Sequence, residues 1–414
     1  MTFKDLQSSS PNLEADIITF GETVFGLVKK HQSRNLGLKG IATRLMNLTM
    51  SFPEIKSNLF RLVDVLPSLS TKAAVVEHIN QYLFNPNDQS LPLWIKKLLR
   101  TTPGSPVGYL AATINSLAVD QMANLFIAGR DAQSALPKIN SILSQNLAFT
   151  VDLLGEYSIS EVEALAYQQR YIEAISTLLS NRSALLQSAR HNQAFINSRI
   201  AAHQLSVSIK LSALYSQTSI LNFDRSVQIL SERLSSIIHL VNSDCSAISV
   251  YLDAEDTGTN PIILAVFKEV FSSPEFKNFP FPGIVLQAYA RDAETTVLDL
   301  IEFAKARKSP IAIRLVKGAY WDHETVQANQ NHWPNPLFTI KENSDANYEK
   351  ISRLLLDNHT HILPAFASHN VRSLANACCY AKSIGLDKTN FELQMLYGMA
   401  DPIAKSFRDL GYLV

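Results

Sequence analysis

Residues 311–322 read Ile311-Ala-Ile-Arg-Leu-Val-Lys-Gly-Ala-Tyr320-Trp321-Asp322, and this stretch decides the fold. Ile311, Ile313, Leu315 and Val316 favour a buried strand. The run drives straight into Arg314, Lys317 and a Gly318-Ala319 step. Arg314 lies inside the run rather than beyond it, so it must find partners if it faces inward, because a buried unpaired charge is very costly. Two cations at a strand end, where glycine lets backbone come close, suit a phosphorylated ligand at the mouth of a barrel.

Working outward, six more β-rich runs appear in order. They are Ala148-Phe-Thr-Val-Asp-Leu-Leu154, Leu205-Ser-Val-Ser-Ile-Lys-Leu211, Ala247-Ile-Ser-Val-Tyr-Leu-Asp253, Gly283-Ile-Val-Leu-Gln287, Ile362-Leu-Pro-Ala-Phe-Ala367 and Phe391-Glu-Leu-Gln-Met395. Helical segments separate them. Ser160-Glu-Val-Glu163 matches a capping box and leads a stripe of Val162, Leu165, Ile172, Ile175 and Leu179. Thr296 to Ala306 and Ala346 to Leu356 fill similar slots. Such alternation argues for a parallel sheet with helical crossovers. Seven repeats, with an eighth strand expected at Tyr412-Leu413-Val414, favour a (βα)8 barrel, TIM-like and incomplete at the C-terminus. No Gly-x-Gly-x-x-Gly follows the first strand, which weakens a dinucleotide-binding open sheet.

The first ~145 residues read as helical and without strands. Ile17, Phe20, Val24, Leu27 and Val28 recur at helical spacing, as do Leu59, Leu62, Val63 and Leu66 before Pro67. Thr101-Thr-Pro-Gly-Ser-Pro106 is dense in turn formers, and Val119 to Ala128 resumes a helical pattern. The reading is therefore a helical arm over 1–100, a linker and helical segment over 101–146, and the barrel over 147–414.

Apolar residues make up 46% of the chain and charged residues 18%, enough for a large core. Lys+Arg and Asp+Glu both total 37, so no general attraction to nucleic acid is expected. Cys245, Cys378 and Cys379 form no disulfide framework or zinc pair and fit a reducing compartment. The N-terminus lacks a signal-peptide pattern, and no apolar run approaches the ~20 residues of a membrane span. A soluble cytoplasmic protein is expected.

Active sites of such barrels lie at the C-terminal ends of the strands. The exits here carry Lys210, Asp253 with Glu255, Gln287, Arg314 with Lys317, Ser368-His369-Asn370, and Gln394. Each alone has a structural reading: Lys210 as a solvated strand-end lysine, Asp253-Ala-Glu-Asp256 as a helix cap, His369 as a satisfied core histidine. Tyr320 and Trp321 fit packing, or stacking on an aromatic ligand. A functional group at six of seven exits favours a site at this rim. Asp253, Glu255, His323, His361 and His369 could donate to a metal, but no His-x-His or His-Glu-x-x-His spacing occurs and cations intervene, so no metal site is expected.

At these residues the chain resembles the proline dehydrogenase domain of the bifunctional proline utilisation flavoenzymes. The resemblance runs through Phe149-Thr-Val-Asp-Leu-Leu-Gly-Glu156, Ser208-Ile-Lys-Leu-Ser-Ala213, Leu252-Asp-Ala-Glu255 and Leu286-Gln-Ala-Tyr289. It continues in Arg314 to Asp322, Phe366-Ala-Ser-His-Asn370 and Phe391-Glu-Leu-Gln-Met-Leu396, all in the family's order. The resemblance implies FAD at the barrel mouth, oxidation of L-proline to Δ1-pyrroline-5-carboxylate, and electrons passed to quinone with peripheral contact at the inner face of a membrane. It implies Arg314 near flavin N5, Gln287, Gln394 and Met395 beside the ring, and Val316, Lys317, Gly318, Ala319 and Trp321 lining the cofactor. Thr339, Ser368, His369 and Asn370 match positions around its phosphate and adenosine parts, with Ser368 replacing the usual threonine. Lys210 matches a lysine near the substrate carboxylate; Asp253, Tyr320 and Leu396 match pocket walls.

In the family the last strand precedes a helix with an Arg-Arg-x-x-Glu motif that grips the substrate carboxylate. This chain stops at Val414, in or just before that strand, so the reading expects an unclosed barrel in which Lys210 alone clamps the carboxylate poorly. No aldehyde dehydrogenase domain and no DNA-binding ribbon-helix-helix segment is expected. The rival readings are a catalytically incompetent fragment or scaffold, and a metal-dependent barrel enzyme.

Overall fold

A computed structural model describes residues 11–32, 71, 74, 77, 78, 81, 126–189, 205–242, 248–280 and 282–414. The helical spacing around Leu59 to Pro67, the turn formers at 101–106, most of the 119–128 pattern and Cys245 lie outside these residues. The chain divides into one unit of Met1–Lys29 with Gly129–Val414, and another of Lys30–Ala128.

The first unit is built on seven parallel strands in sequence order: β1 (Val151–Asp152), β2 (Leu205–Ile209), β3 (Ile248–Leu252), β4 (Pro282–Gln287), β5 (Ile311–Val316), β6 (Ile362–Ala367) and β7 (Glu392–Gln394). The sheet curls into an incomplete (βα)8 barrel, as the strand–helix alternation requires. Strands β2 to β4 are buried along their whole length, so both faces are covered, by helices outside and side chains inside. The inner floor is a cluster of Tyr251, Val285, Ala312 and Leu363, with Ala254 and Val316 against it.

Helices α1 (Pro11–Gln32), α2 (Ala132–Ser144), α3 (Glu161–Ser180), α4 (Arg182–Ala189), α5 (Phe223–Asn242) and α6 (Asn260–Ser272) precede β4 in the chain. They are followed by α7 (Ala293–Arg307), α8 (Trp321–Gln330), α9 (Lys341–Asp357), α10 (Val371–Ser383) and α11 (Asp401–Asp409). Leu13 and Ile17 of α1 pack on Ala375 and Cys379 of α10, and Arg372 of α10 grips both oxygens of Glu14. A basic fork on a carboxylate at a helix–helix seam fixes register as well as contact.

Three expectations are corrected. Ser160 does accept from the Glu163 N–H, but the Glu163 carboxylate returns to the N–H of Ile159, one residue earlier than a capping box requires. In the helix that follows, Val162 and Leu165 are exposed, while Ala164, Tyr171, Ala174, Ile175 and Leu178 are buried. The buried face thus shares Ile175 with the expected stripe. Finally, residues 412–414 form no eighth strand, and the barrel stays incomplete as expected, although two backbone bonds reach across the gap. Leu393 N–H donates to the Leu413 carbonyl and Ala148 N–H to the Val414 carbonyl, so one hydrogen bond reaches each edge of the barrel.

Candidate active site

Strand register puts every second side chain inside the barrel. Ser208 pairs with Tyr251, Tyr251 with Gly283, Val285 with Arg314, and Arg314 with Ala365. The alternation that buries Ile209 and Leu252 outward thus sends Ser208, Lys210, Tyr251 and Asp253 inward.

At the centre lies Asp253. Its Oδ1 accepts from Arg314 Nη1 at 3.1 Å and its Oδ2 from Lys210 Nζ at 3.1 Å. Lys210 also reaches Asp152 at 2.5 Å, and Arg314 Nη1 reaches Ser208 Oγ at 2.7 Å. Both cations are nearly buried, at 7% and 9% exposure. Burial opposes the Lys210 charge, but Asp253 and Asp152 outweigh it and hold its pKa above the usual lysine range. Asp152 is pushed upward, first by burial and then by the neighbouring Asp253 charge. The Arg314 guanidinium lies 4.2 Å above the Tyr251 ring, and its Nε is buried without a hydrogen-bond partner among the described residues.

A second layer surrounds this centre. Gln287 donates to the Glu255 carbonyl and accepts from the Ala319 N–H at 3.2 Å, tying β4 to the loop after β5. Glu255 is fully buried; its Oε1 accepts from Ser212 N–H, its Oε2 is unpartnered, and burial raises its pKa to about 7. Tyr251 donates to Glu392 at 3.3 Å, and Gln394 donates to the same carboxylate oxygen. Tyr320 donates to Glu156 at 2.8 Å. Gly318 holds φ +137°, and a Cβ there would meet the Tyr289 ring at 2.3 Å, so only glycine fits.

At the β6 and β7 exits, Ser368 N–H donates to the Gln394 carbonyl and Ser368 Oγ accepts from Asn370 N–H. Asn370 caps α10 through Ser373 N–H. His369 Nε2 accepts the Leu396 N–H at 3.1 Å, which requires the ring proton on Nδ1, and burial lowers its pKa. Lys317 pairs with Asp345 of α9 and sits over the Tyr348 ring. Trp321 donates to the Phe338 carbonyl beside the exposed Thr339. Leu396 is exposed, and Val316 and Met395 are half-buried.

The sequence-derived residues therefore fall into a tightly bonded trio (Lys210, Asp253, Arg314), two bridged sets at the β4–β5 and β6–β7 exits, and Lys317 with Thr339 on the α9 side. Asp152, Ser208, Tyr251, Glu156 and Glu392 complete the network and were not singled out from sequence as site residues. The polar alternation Ser206, Ser208, Lys210 and its counterpart Ser249, Tyr251, Asp253 carried the signal for two of them. Among the described residues no group of three or more His, Cys, Asp or Glu side chains is arranged to hold a metal ion.

The family model described as proline dehydrogenase matches residues 135–414, the whole of the barrel. The chain belongs to the proline dehydrogenase family. Residues 14–126 match a second model, the proline utilization A N-terminal domain. The chain is 29% identical over 290 residues to the bifunctional protein PutA of Escherichia coli, covering 69% of this chain and 20% of that one. It is 28% identical over 309 residues to proline dehydrogenase 2 of Bacillus subtilis, covering 74% of this chain and 84% of the relative. A crystal structure of proline utilization A from Bdellovibrio bacteriovorus, inactivated by N-propargylglycine, superposes with a TM-score of 0.81 at 36% identity. That match covers 97% of this chain and 39% of the other. The chain thus spans about a fifth of the length of the bifunctional PutA relatives it matches in sequence.

Proposed function

We propose that this chain oxidises L-proline to Δ1-pyrroline-5-carboxylate with FAD as acceptor and a quinone as the final oxidant. The observation that carries the reading is the joint hold of Lys210 and Arg314 on Asp253, which fixes two cations inside the barrel. Membership of the proline dehydrogenase family supports it.

The residues present fit FAD. Arg314 has a buried Nε–H without a partner, Gln287 and Gln394 present amides on β4 and β7, and Lys317 and His369 stand at the β5 and β6 exits. When bound, FAD supplies the two-electron acceptor for the C5 hydrogen of proline. Lys210 uses two N–H groups on Asp152 and Asp253, leaving a third for the proline carboxylate. Arg314 brings a fixed donor into a low-dielectric floor, where it stabilises charge that builds during transfer. Asp253 positions both cations, so orientation supplies much of the rate. The amine proton leaves to solvent, and Tyr320, held on Glu156, walls the substrate.

Quinone reduction places the protein on the cytoplasmic side of a membrane as a peripheral visitor. Among the described residues no helix is long and apolar enough to cross one. The assignment is tested by purifying the chain with FAD. Visible flavin absorption that bleaches on anaerobic addition of L-proline supports it. A colourless, proline-inert preparation would favour the incompetent-fragment reading and remove the assignment.

A further inference from the structure

Tyr251 stands on β3, two residues before Asp253, and is 3% exposed on the barrel floor. Its ring faces the Arg314 guanidinium at 4.2 Å, and its hydroxyl donates to Glu392 on the far side of the barrel. The fold makes room for this ring: a Cβ on Gly283, its neighbour on β4, would lie 2.4 Å from the ring. Among the described residues the Arg314 guanidinium is otherwise hydrogen-bonded through Nη1 alone, to Ser208 and Asp253. Those bonds hold one edge of the group, and the Tyr251 ring supports its face.

We propose that Tyr251 is the positioning residue of this site, its ring fixing the plane of the Arg314 guanidinium and its hydroxyl, anchored on Glu392, fixing the ring. The proposal rests on the flavoenzyme reading for its consequence and on the geometry alone for its coupling. Cation–π contact in a desolvated site is strong enough for the ring's loss to register. Burial keeps the phenol protonated and therefore a donor to Glu392.

The test is a double-mutant cycle between Tyr251→Leu and Arg314→Met, read in two ways. The first is the unfolding equilibrium of the flavin-free protein. The second is the midpoint potential of the bound flavin by spectroelectrochemistry. The two substitutions are expected to be non-additive in both, with coupling of about tenfold in the unfolding constant. Tyr251→Leu should shift the potential in the same direction as Arg314→Met, and Tyr251→Phe, which keeps the ring, should lie between it and the parent. If Tyr251→Leu fails to fold, Gly283→Ala displaces the same ring and is expected to reproduce the potential shift. Additive effects in the unfolding cycle, or an unmoved potential in a folded ring variant, would overturn the proposal. Absence of flavin binding in the parent would strike the flavoenzyme reading instead and leave the unfolding cycle to decide the coupling.

Discussion

The carboxylate of Asp253 meets the guanidinium of Arg314 at 3.1 Å, 61 residues further along the chain, while its second oxygen is held by Lys210. One anion just past the end of β3 thereby fixes two cations, one just past the end of β2 and one on β5. With side chains 9–14% exposed, solvent screens these pairs little.

Replacing that anion should be costly. Asp253→Asn keeps the shape but removes the carboxylate that Lys210 and Arg314 share, leaving Asp152 and the more distant Glu392 as nearby counter-charges. A loss of about 3 kcal/mol of stability is expected, because removing one partner strands a buried charge. Urea unfolding at neutral pH measures it, and a variant within a few tenths of the parent would show that the trio is not under this constraint.

Glu255 should leave a signature in pH. Its carboxyl is raised by burial from 4.5 to about 7, so the folded state binds a proton that the unfolded state has already released. Its contribution to stability is complete below about pH 4.5 and is lost as pH rises through 7. The loss is about 3 kcal/mol. Glu255→Gln should flatten stability between pH 5 and 8 and make the protein more stable than the parent at pH 8. An unchanged pH profile in the variant would assign the titration elsewhere.

At the β5 exit, Gly318→Ala should strain the loop that carries Ala319 to Gln287. A φ of +137° and a clash with Tyr289 combine there, and about 1–3 kcal/mol of destabilisation is expected. Flavin affinity should fall with it, as measured by fluorescence titration. Full affinity in the variant would mean that the loop does not shape the cofactor site.

The α1 contact offers a test away from the site. Ile17 is 2% exposed against Ala375 and Cys379, so Ile17→Ala should lower stability by about 2–4 kcal/mol. A thermal melt indistinguishable from the parent would contradict the docking of α1 on α10.

Strand order was legible because each β-rich run is short, apolar and followed by helical spacing. The inward polar residues were legible where a strand ended on one, as at Lys210, Asp253 and Gln287, and at Arg314, whose charge stands out inside an apolar run. Tyr251 and Ser208 were missed because a tyrosine or serine within an apolar run reads as filler, and only their spacing of two from Asp253 and Lys210 marks them as inward-facing. The partnership of Glu156 with Tyr320 spans 164 residues, and no local pattern encodes it. The face of α3 was misread at its start, where Val162 and Leu165 are exposed and Ala164 is buried, while Ile175 lies on the buried face as expected. The closing contacts of Leu413 and Val414 are backbone bonds, which side-chain patterning does not report.

The most direct measurement is anaerobic mixing of the FAD-loaded protein with L-proline, following the bleaching of flavin absorbance in the parent and in Arg314→Met. The expected result is bleaching in the parent and a rate about a hundredfold lower in a folded, flavin-bound variant, as befits loss of a donor at the reacting centre. Equal rates in the two proteins, or a loaded parent that proline does not bleach, would contradict the placement of Arg314 at the chemistry.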